Sequence, residues 1–298
     1  MANIHYGRIG DVWKHLPLAE ILTIERPHHV WESHAGSAFY HLTPSYERDY
    51  GVYRVRARAA DAPHLAESRY VDLLRSLETE GQIRIYPGSP AIAMHLLGDE
   101  STDFVFCDTD PDSLADIQRA AERLGITPTR LRLVNGDGLT ALTQLGDDLA
   151  PDEAAVTLAH IDPYQTLLSD DSGRNSFDLL CHLSAHGVRC VLWYGYVGDE
   201  DRTGIFAGLH RALDRQRTSA SALRLWNGDI RLDAAGEPSL AANTGVISCG
   251  IITAHLGERS INACNQLGRA LEQIYADARL MGGYSGALHY TSAPVIDR

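Results

Sequence analysis

The chain is expected to fold as an α/β protein on a mostly parallel sheet with helices on both faces. Two observations predict this. Short β-favouring runs alternate with amphipathic helical stretches, and four of those runs end in polar or glycine-bearing turns, where open α/β sheets receive ligands. The expected strands are 29–32, 103–107, 130–134, 156–161, 188–194 and 245–254. Between them, 113–124 carries apolar residues at helical spacing behind Asp112, a suitable N-cap. A second amphipathic helix is expected over 267–280. The stretch 46–81 breaks the alternation, and its run Tyr70-Val71-Asp72-Leu73-Leu74-Arg75-Ser76-Leu77 has a helical apolar stripe. One domain over 1–298 with a helical insertion at 46–81 is therefore expected, with no internal repeat.

Composition bounds the function. With 298 residues and 44% hydrophobic content the chain fills one large core. No apolar stretch approaches the ~20 residues of a membrane span, and no basic-then-apolar leader opens the sequence, so a cytoplasmic location is expected. Cys107, Cys181, Cys190, Cys249 and Cys264 are scattered and odd in number, which points to reduced buried thiols and not to disulfides or zinc. The 26 basic residues face 39 acidic ones, a formal charge of −13. Such a field repels polyanions, so a small-molecule substrate is expected ahead of nucleic acid, although Arg54, Arg56, Arg58 and Arg69 could form a local basic patch. The sequence does not fix an oligomeric state.

Each strand end carries residues suited to a nucleoside ligand. Glu32-Ser33-His34-Ala35-Gly36 supplies small residues at a strand-to-helix turn, where backbone can approach a ligand. Asp108-Thr109-Asp110-Pro111 places a carboxylate where ribose hydroxyls are bound, or where a helix is capped. Asn135-Gly136-Asp137-Gly138 offers Asp137 to the amine of an adenine, or is a plain glycine turn. The run ending at Ile161 leads into Asp162-Pro163-Tyr164-Gln165.

These turns, with Gly10-Asp11-Val12-Trp13-Lys14-His15 and Tyr86-Pro87-Gly88-Ser89-Pro90-Ala91-Ile92-Ala93, resemble the 23S ribosomal RNA adenine-N6 methyltransferase J family. Weaker matches at Leu192-Trp193-Tyr194 and Gly250-Ile251-Ile252 extend the resemblance through nearly the whole chain. It implies a class I methyltransferase (Rossmann-like) sheet that binds S-adenosylmethionine (SAM). Carried over by position, His15, His34, Ser89, Asp108, Asp137, Gly138 and Asp162 match SAM-contacting positions, and Gly36 lies in the same turn as His34. Lys14 joins them because an ammonium near the methionine carboxylate would form a charge-assisted bond.

The chain also departs from the family. The family's Asp-Pro-Pro-Tyr turn has a stacking tyrosine where Gln165 stands here, and a late Pro-Pro element is replaced by Ala254-His255-Leu256-Gly257. With substrate-side elements changed and cofactor-side ones kept, the expected chemistry is SAM cyclisation. The amino acid portion of SAM would close to 1-aminocyclopropane-1-carboxylate or azetidine-2-carboxylate and release methylthioadenosine. Asp162 or Tyr164 would act as base while Lys14 and His15 hold the carboxylate. The first alternative is N-methylation of a 23S rRNA adenine or of a small metabolite, with Tyr164 stacking from a shifted turn. The second is SAM binding without catalysis.

Tyr6, Tyr40, Trp193, Tyr194 and Tyr196 are further aromatic candidates for the wall of a sulfonium site. No pyridoxal-phosphate signature is present, and no metal is expected. His28 and His29 would point to opposite faces of a strand, and the i, i+4 pair His182/His186 lacks the glutamate of a zinc-hydrolase motif.

Overall fold

The computed structural model describes residues 6–98, 101–170, 173–233, 248–280 and 283–297. The chain opens with α1 (Ile9–Glu25) and enters β1 (His29–Glu32). After the insertion, which ends with α2 (Arg69–Ser76), come α3 (Ser89–Leu97), β2 (Asp103–Asp108), α4 (Pro111–Arg123), β3 (Leu131–Asn135) and α5 (Gly138–Asp147). Then follow β4 (Thr157–Ile161), α6 (Ser176–Ala185), β5 (Arg189–Tyr196), α7 (Asp199–Gln216) and β6 (Trp226–Leu232). The chain finishes with β7 (Ser248–Ala254), α8 (Glu258–Tyr275) and β8 (Leu288–Pro294).

The strands form one eight-stranded sheet in the order β8-β6-β7-β5-β4-β1-β2-β3. Neighbours from β5 to β3 are parallel, while β7 runs antiparallel to β5 and β6 runs antiparallel to β7 and β8. The central strand β4 is buried along its whole length, as a parallel strand covered on both faces must be. Strand order reverses between β1 and β4, so a crevice opens at their carboxyl ends. Register aligns Glu32 with His160 and Asp108 with Asn135, which brings the four ligand-type turns to one rim.

The expected strands lie within one to three residues of the observed ones, and 245–247 of the last fall outside the described residues. Two strands of the eight-stranded sheet are new, β6 and β8. Their polar and glycine content hides them: β6 carries Asn227, Gly228 and Asp229, and β8 is an exposed edge. The helix expected behind Asp112 starts at Pro111 with Asp110 as its cap, because the Asp110 side chain accepts the Asp112 N–H at 3.0 Å. The second expected helix begins earlier, at Glu258.

Segment 46–81 forms several short helices, α2 and a two-stranded hairpin, packed on α1 and α8. Three of the four arginines expected to form a basic patch are paired with acids. Arg54 and Arg58 both pair with Asp277, Arg58 also with Asp61, and Arg56 with Glu78. Among the described residues, no helix is long and apolar enough to cross a membrane.

Candidate functional site

A cleft at the β1/β4 rim is lined by Asp11, Lys14 and His15 from α1, by His34 and Ala35 after β1, by Tyr86, Gly88 and Ser89 before and within α3, by Asp162 after β4, and by Tyr6 and Tyr40. The i, i+3 and i, i+4 spacing of Asp11, Lys14 and His15 puts all three on one face of α1. Lys14 Nζ donates to Asp162 Oδ2 at 2.7 Å and lies 3.0 Å from Asp11 Oδ1. Burial alone would lower the lysine pKa, but the two carboxylates outweigh it, and Lys14 is held protonated well above its usual range. Burial pushes the Asp11 carboxyl up, with Lys14 opposing it. Two acids around one lysine give this wall an acidic balance, which suits a sulfonium and an ammonium.

Behind this wall runs a buried relay. Tyr70 OH donates to Tyr86 OH at 3.1 Å, and Tyr86 OH lies 2.8 Å from His15 Nδ1. Burial, the Lys14 charge and His160 hold the His15 pKa well below its ordinary value, so the ring is neutral. A neutral ring that accepts at Nδ1 carries its proton on Nε2 and presents a donor there. His34 is also shifted down, by burial against the opposing pull of Asp162, Asp137 and Asp108, and its Nδ1 lies 2.8 Å from Ser33 Oγ.

Other carried-over residues build the rim without lining the cleft. Asp108 accepts the Gly36 N–H at Oδ2, 2.7 Å, and the Asp110 N–H at Oδ1, 2.8 Å, tying the turn after β1 to the turn after β2. Asp137 caps α5 by accepting the Thr140 N–H at 2.7 Å. Gly138 packs so tightly that a Cβ there would sit 1.8 Å from the Ser33 carbonyl oxygen. Gly36 adopts a φ of +63°, open to glycine at little cost. The helix cap weighed from sequence for the turn after β2 is Asp110 and not Asp108, and Asp137 is itself a helix cap within its glycine turn.

Tyr164 does not line the cleft. It stands 80% exposed beside it, with Leu168 at 63% on the same loop. Tyr6 and Tyr40 do stack on each other at the cleft, with ring centroids 4.8 Å apart. Trp193 lies behind Lys14, 5.8 Å from its ammonium. Tyr194 and Tyr196 belong instead to the core, donating to Asp229 at 2.9 and 2.6 Å.

Sequence reasoning missed Asp11, Tyr70, Tyr86, Glu32 and His160 as site residues. Helical spacing to Lys14 could have found Asp11. Nothing local could have found Tyr86, whose bond to His15 spans 71 positions. Glu32 Oε2 accepts from Ser89 Oγ at 2.7 Å and lies 3.7 Å from His160 Nδ1, with both side chains 1% exposed. A buried acid and imidazole side by side form a polar floor beneath Ser89.

The strand order, with β7 reversed beside β5 and the ligand crevice at β1/β4, defines a class I SAM-dependent methyltransferase fold. The structure matches protein LPL1258 from Legionella pneumophila str. Philadelphia 1 with a TM-score of 0.74 at 17% identity, over 97% of this chain and 98% of that one. An O-methyltransferase from Bacillus cereus is far more distant, with a TM-score of 0.40 at 10% identity over 80% and 79% of the two chains. The chain belongs to the family "Ribosomal RNA large subunit methyltransferase D, RlmJ", whose model matches residues 25–220. Ribosomal RNA large subunit methyltransferase J of Escherichia coli (strain K12) is 29% identical over 108 residues, which are 34% of this chain and 38% of that protein.

SAM is the cofactor of this enzyme family. Neither the family nor these relatives support SAM cyclisation to small-ring amino acids. The geometry gives a reason. The groups assigned to cyclisation neutralise one another: Lys14, meant to hold the substrate carboxylate, is already shared by Asp11 and Asp162, and Asp162, meant to be a base, is tied to an ammonium. The expectation of a small-molecule substrate in preference to nucleic acid likewise finds no support, since the family is named for ribosomal RNA.

Proposed function

We propose that this protein transfers a methyl group from SAM to the N6 amine of an adenine in large-subunit ribosomal RNA. The observation that carries the proposal is the placement of Asp162. It lies at the carboxyl end of β4, on the lip of the cleft, with exposed Tyr164 two residues further on. Lys14 occupies Oδ2, so Oδ1 is the acceptor for an exocyclic amine. An adenine amine is nearly planar and weakly nucleophilic. A carboxylate accepting its N–H raises electron density on nitrogen as it attacks the sulfonium methyl, and takes up the positive charge that develops there. In-line placement of amine and methyl supplies the rest of the rate.

Tyr164 takes over the stacking role that Gln165 cannot perform. An aromatic ring two residues beyond the acceptor can cover a base extruded from its stack, a contact worth about 1–3 kcal/mol. His15, His34, Ser89 and Lys14 line the methionine side of the cleft. Tyr6 and Tyr40 line the same cleft, but Tyr6 is stacked on Tyr40 and covered by the Arg48 guanidinium at 4.4 Å, which leaves Tyr40 to offer an aromatic surface to a sulfonium. Asp108, Asp137, Gly36 and Gly138 shape the nucleoside side.

The test is incubation with methyl-labelled SAM and protein-free large-subunit rRNA, followed by nuclease digestion and mass spectrometry of nucleosides. N6-methyladenosine at one position is the expected product. Methylthioadenosine formed from SAM alone, without RNA, would overturn the assignment.

A further inference from the structure

The structure places a second cluster of ligand-type side chains at the far end of the sheet from the cleft. Asp147 closes α5, while His182 lies in the last turn of α6 and His186 caps its C-terminus. One ligand atom from each comes within 4.8 Å of the other two. We propose that these three residues bind a zinc-class divalent cation that fastens α5 to α6.

Two observations support a metal here over a chance surface grouping. First, His182 Nε2 is buried and has no hydrogen-bond partner, yet it sits 3.1 Å from Asp147 Oδ1. A nitrogen and a carboxylate oxygen this close need a proton or a cation between them, and a cation would serve both. The separation also approaches the ~3.3 Å edge of a tetrahedron with metal–ligand bonds near 2.0–2.1 Å. Second, His186 Nδ1 lies 2.9 Å from the His182 carbonyl oxygen, which fixes the proton on Nδ1 and leaves Nε2 as the free ligand atom. Backbone support of the non-ligating nitrogen is the usual way a metal-binding imidazole is oriented.

Two imidazoles and one carboxylate favour zinc over magnesium or calcium, which prefer all-oxygen shells. The chain topology assigns the cation a structural task. α5 starts at the cofactor rim and ends at Asp147, and α6 ends just before β5 begins, so the cluster lies at the amino ends of the strands. Methyl transfer at Asp162 is remote from it. Sequence alone weighed the His182/His186 pair against a hydrolase motif and found no third ligand. Asp147, 35 positions before His182, arrives only through the packing of α5 on α6.

The experiment is calorimetric titration of Zn2+ into tag-free, EDTA-stripped protein, with Mg2+ as the contrasting ion and thermal unfolding run in parallel. The five cysteines are all buried, so thiols do not compete. One equivalent of Zn2+ with a Kd of about 1 μM or tighter is expected, together with a higher unfolding midpoint and no comparable effect of Mg2+. His186→Ala is the decisive variant, because its ring is exposed and its loss leaves the core intact. It should lose at least tenfold in zinc affinity while the metal-free variant unfolds where the metal-free parent does. Asp147→Asn should behave alike. No binding at 10 μM Zn2+, equal affinity of parent and His186→Ala, or competition between zinc and SAM would each overturn the proposal. The last would place the ion on His15 or His34.

Discussion

The two walls of the cleft are built differently. On the cofactor side, His15, Ser89 and the turns after β1 and β2 are buried or tied into hydrogen bonds through Tyr86, Glu32 and Asp108. On the target side, Asp162 is anchored by Lys14, but Tyr164 and Leu168 extend into water. A wall satisfied by its own bonds pre-organises a ligand of fixed shape, and SAM is the same in every turnover. Under the proposed function, a base arriving on a large RNA needs an open platform, and the exposed Tyr164 ring would supply one at little cost in binding pre-organisation.

The contrast can be broken most sharply at Asp162. Asp162→Ala should lower methyl transfer about 1,000-fold, or about 4 kcal/mol of transition-state stabilisation. SAM affinity measured calorimetrically should stay within threefold, since Lys14 keeps Asp11 as a partner. An equal collapse in SAM binding would show that Asp162 belongs to the cofactor wall. Gly138→Ala tests the opposite wall. A Cβ 1.8 Å from the Ser33 carbonyl forces two turns apart, so urea unfolding should show a loss of about 3 kcal/mol and SAM binding should weaken.

Next in size is Tyr164→Ala, expected to cost about 2 kcal/mol in kcat/KM, most of it in KM for RNA, with SAM binding unchanged and Tyr164→Phe close to the parent. If both variants match the parent, the platform is elsewhere. The smallest effect concerns His15. Its folded pKa is depressed, so the native state resists protonation that the unfolded chain accepts below about pH 6.5. Stability should be level above that pH and fall as pH drops below it, by up to about 1.4 kcal/mol per unit. Comparing urea midpoints at pH 7.5 and 5.5 should show a shallower fall in His15→Gln than in the parent. The paired arginines of the insertion predict a weak salt response as well. The slope of log affinity for RNA against log salt should correspond to about three phosphates or fewer, at roughly 0.7 each for single strands.

Much of the wall proposed for the cofactor was legible before any coordinates. Glu32-Ser33-His34-Ala35-Gly36, Asp108 and Asn135-Gly136-Asp137-Gly138 are contiguous strand-end turns, and an α/β sheet brings such turns to one rim. Lys14 and His15 were identified too, but their assigned partner was a substrate carboxylate, whereas the observed ones are Asp11, Asp162 and Tyr86. The error in the chemistry followed from this. Gln165 in place of a tyrosine reads as a lost platform, and the alternative weighed beside it, Tyr164 stacking from a shifted turn, is the one the proposed function takes up. The acidic charge ranked a small molecule ahead of nucleic acid, whereas the family is named for ribosomal RNA.

Periodicity and turn composition by themselves determined the α/β class, six of the eight strands and the end of the sheet where ligands enter. These are local properties, set by how side chains alternate along a few residues. The relay from Tyr70 through Tyr86 to His15, the bond from Lys14 to Asp162, and the meeting of Asp147 with His182 were decided only by the tertiary structure. Each joins groups from separate elements, and their distances, burial and protonation exist only once those elements have packed.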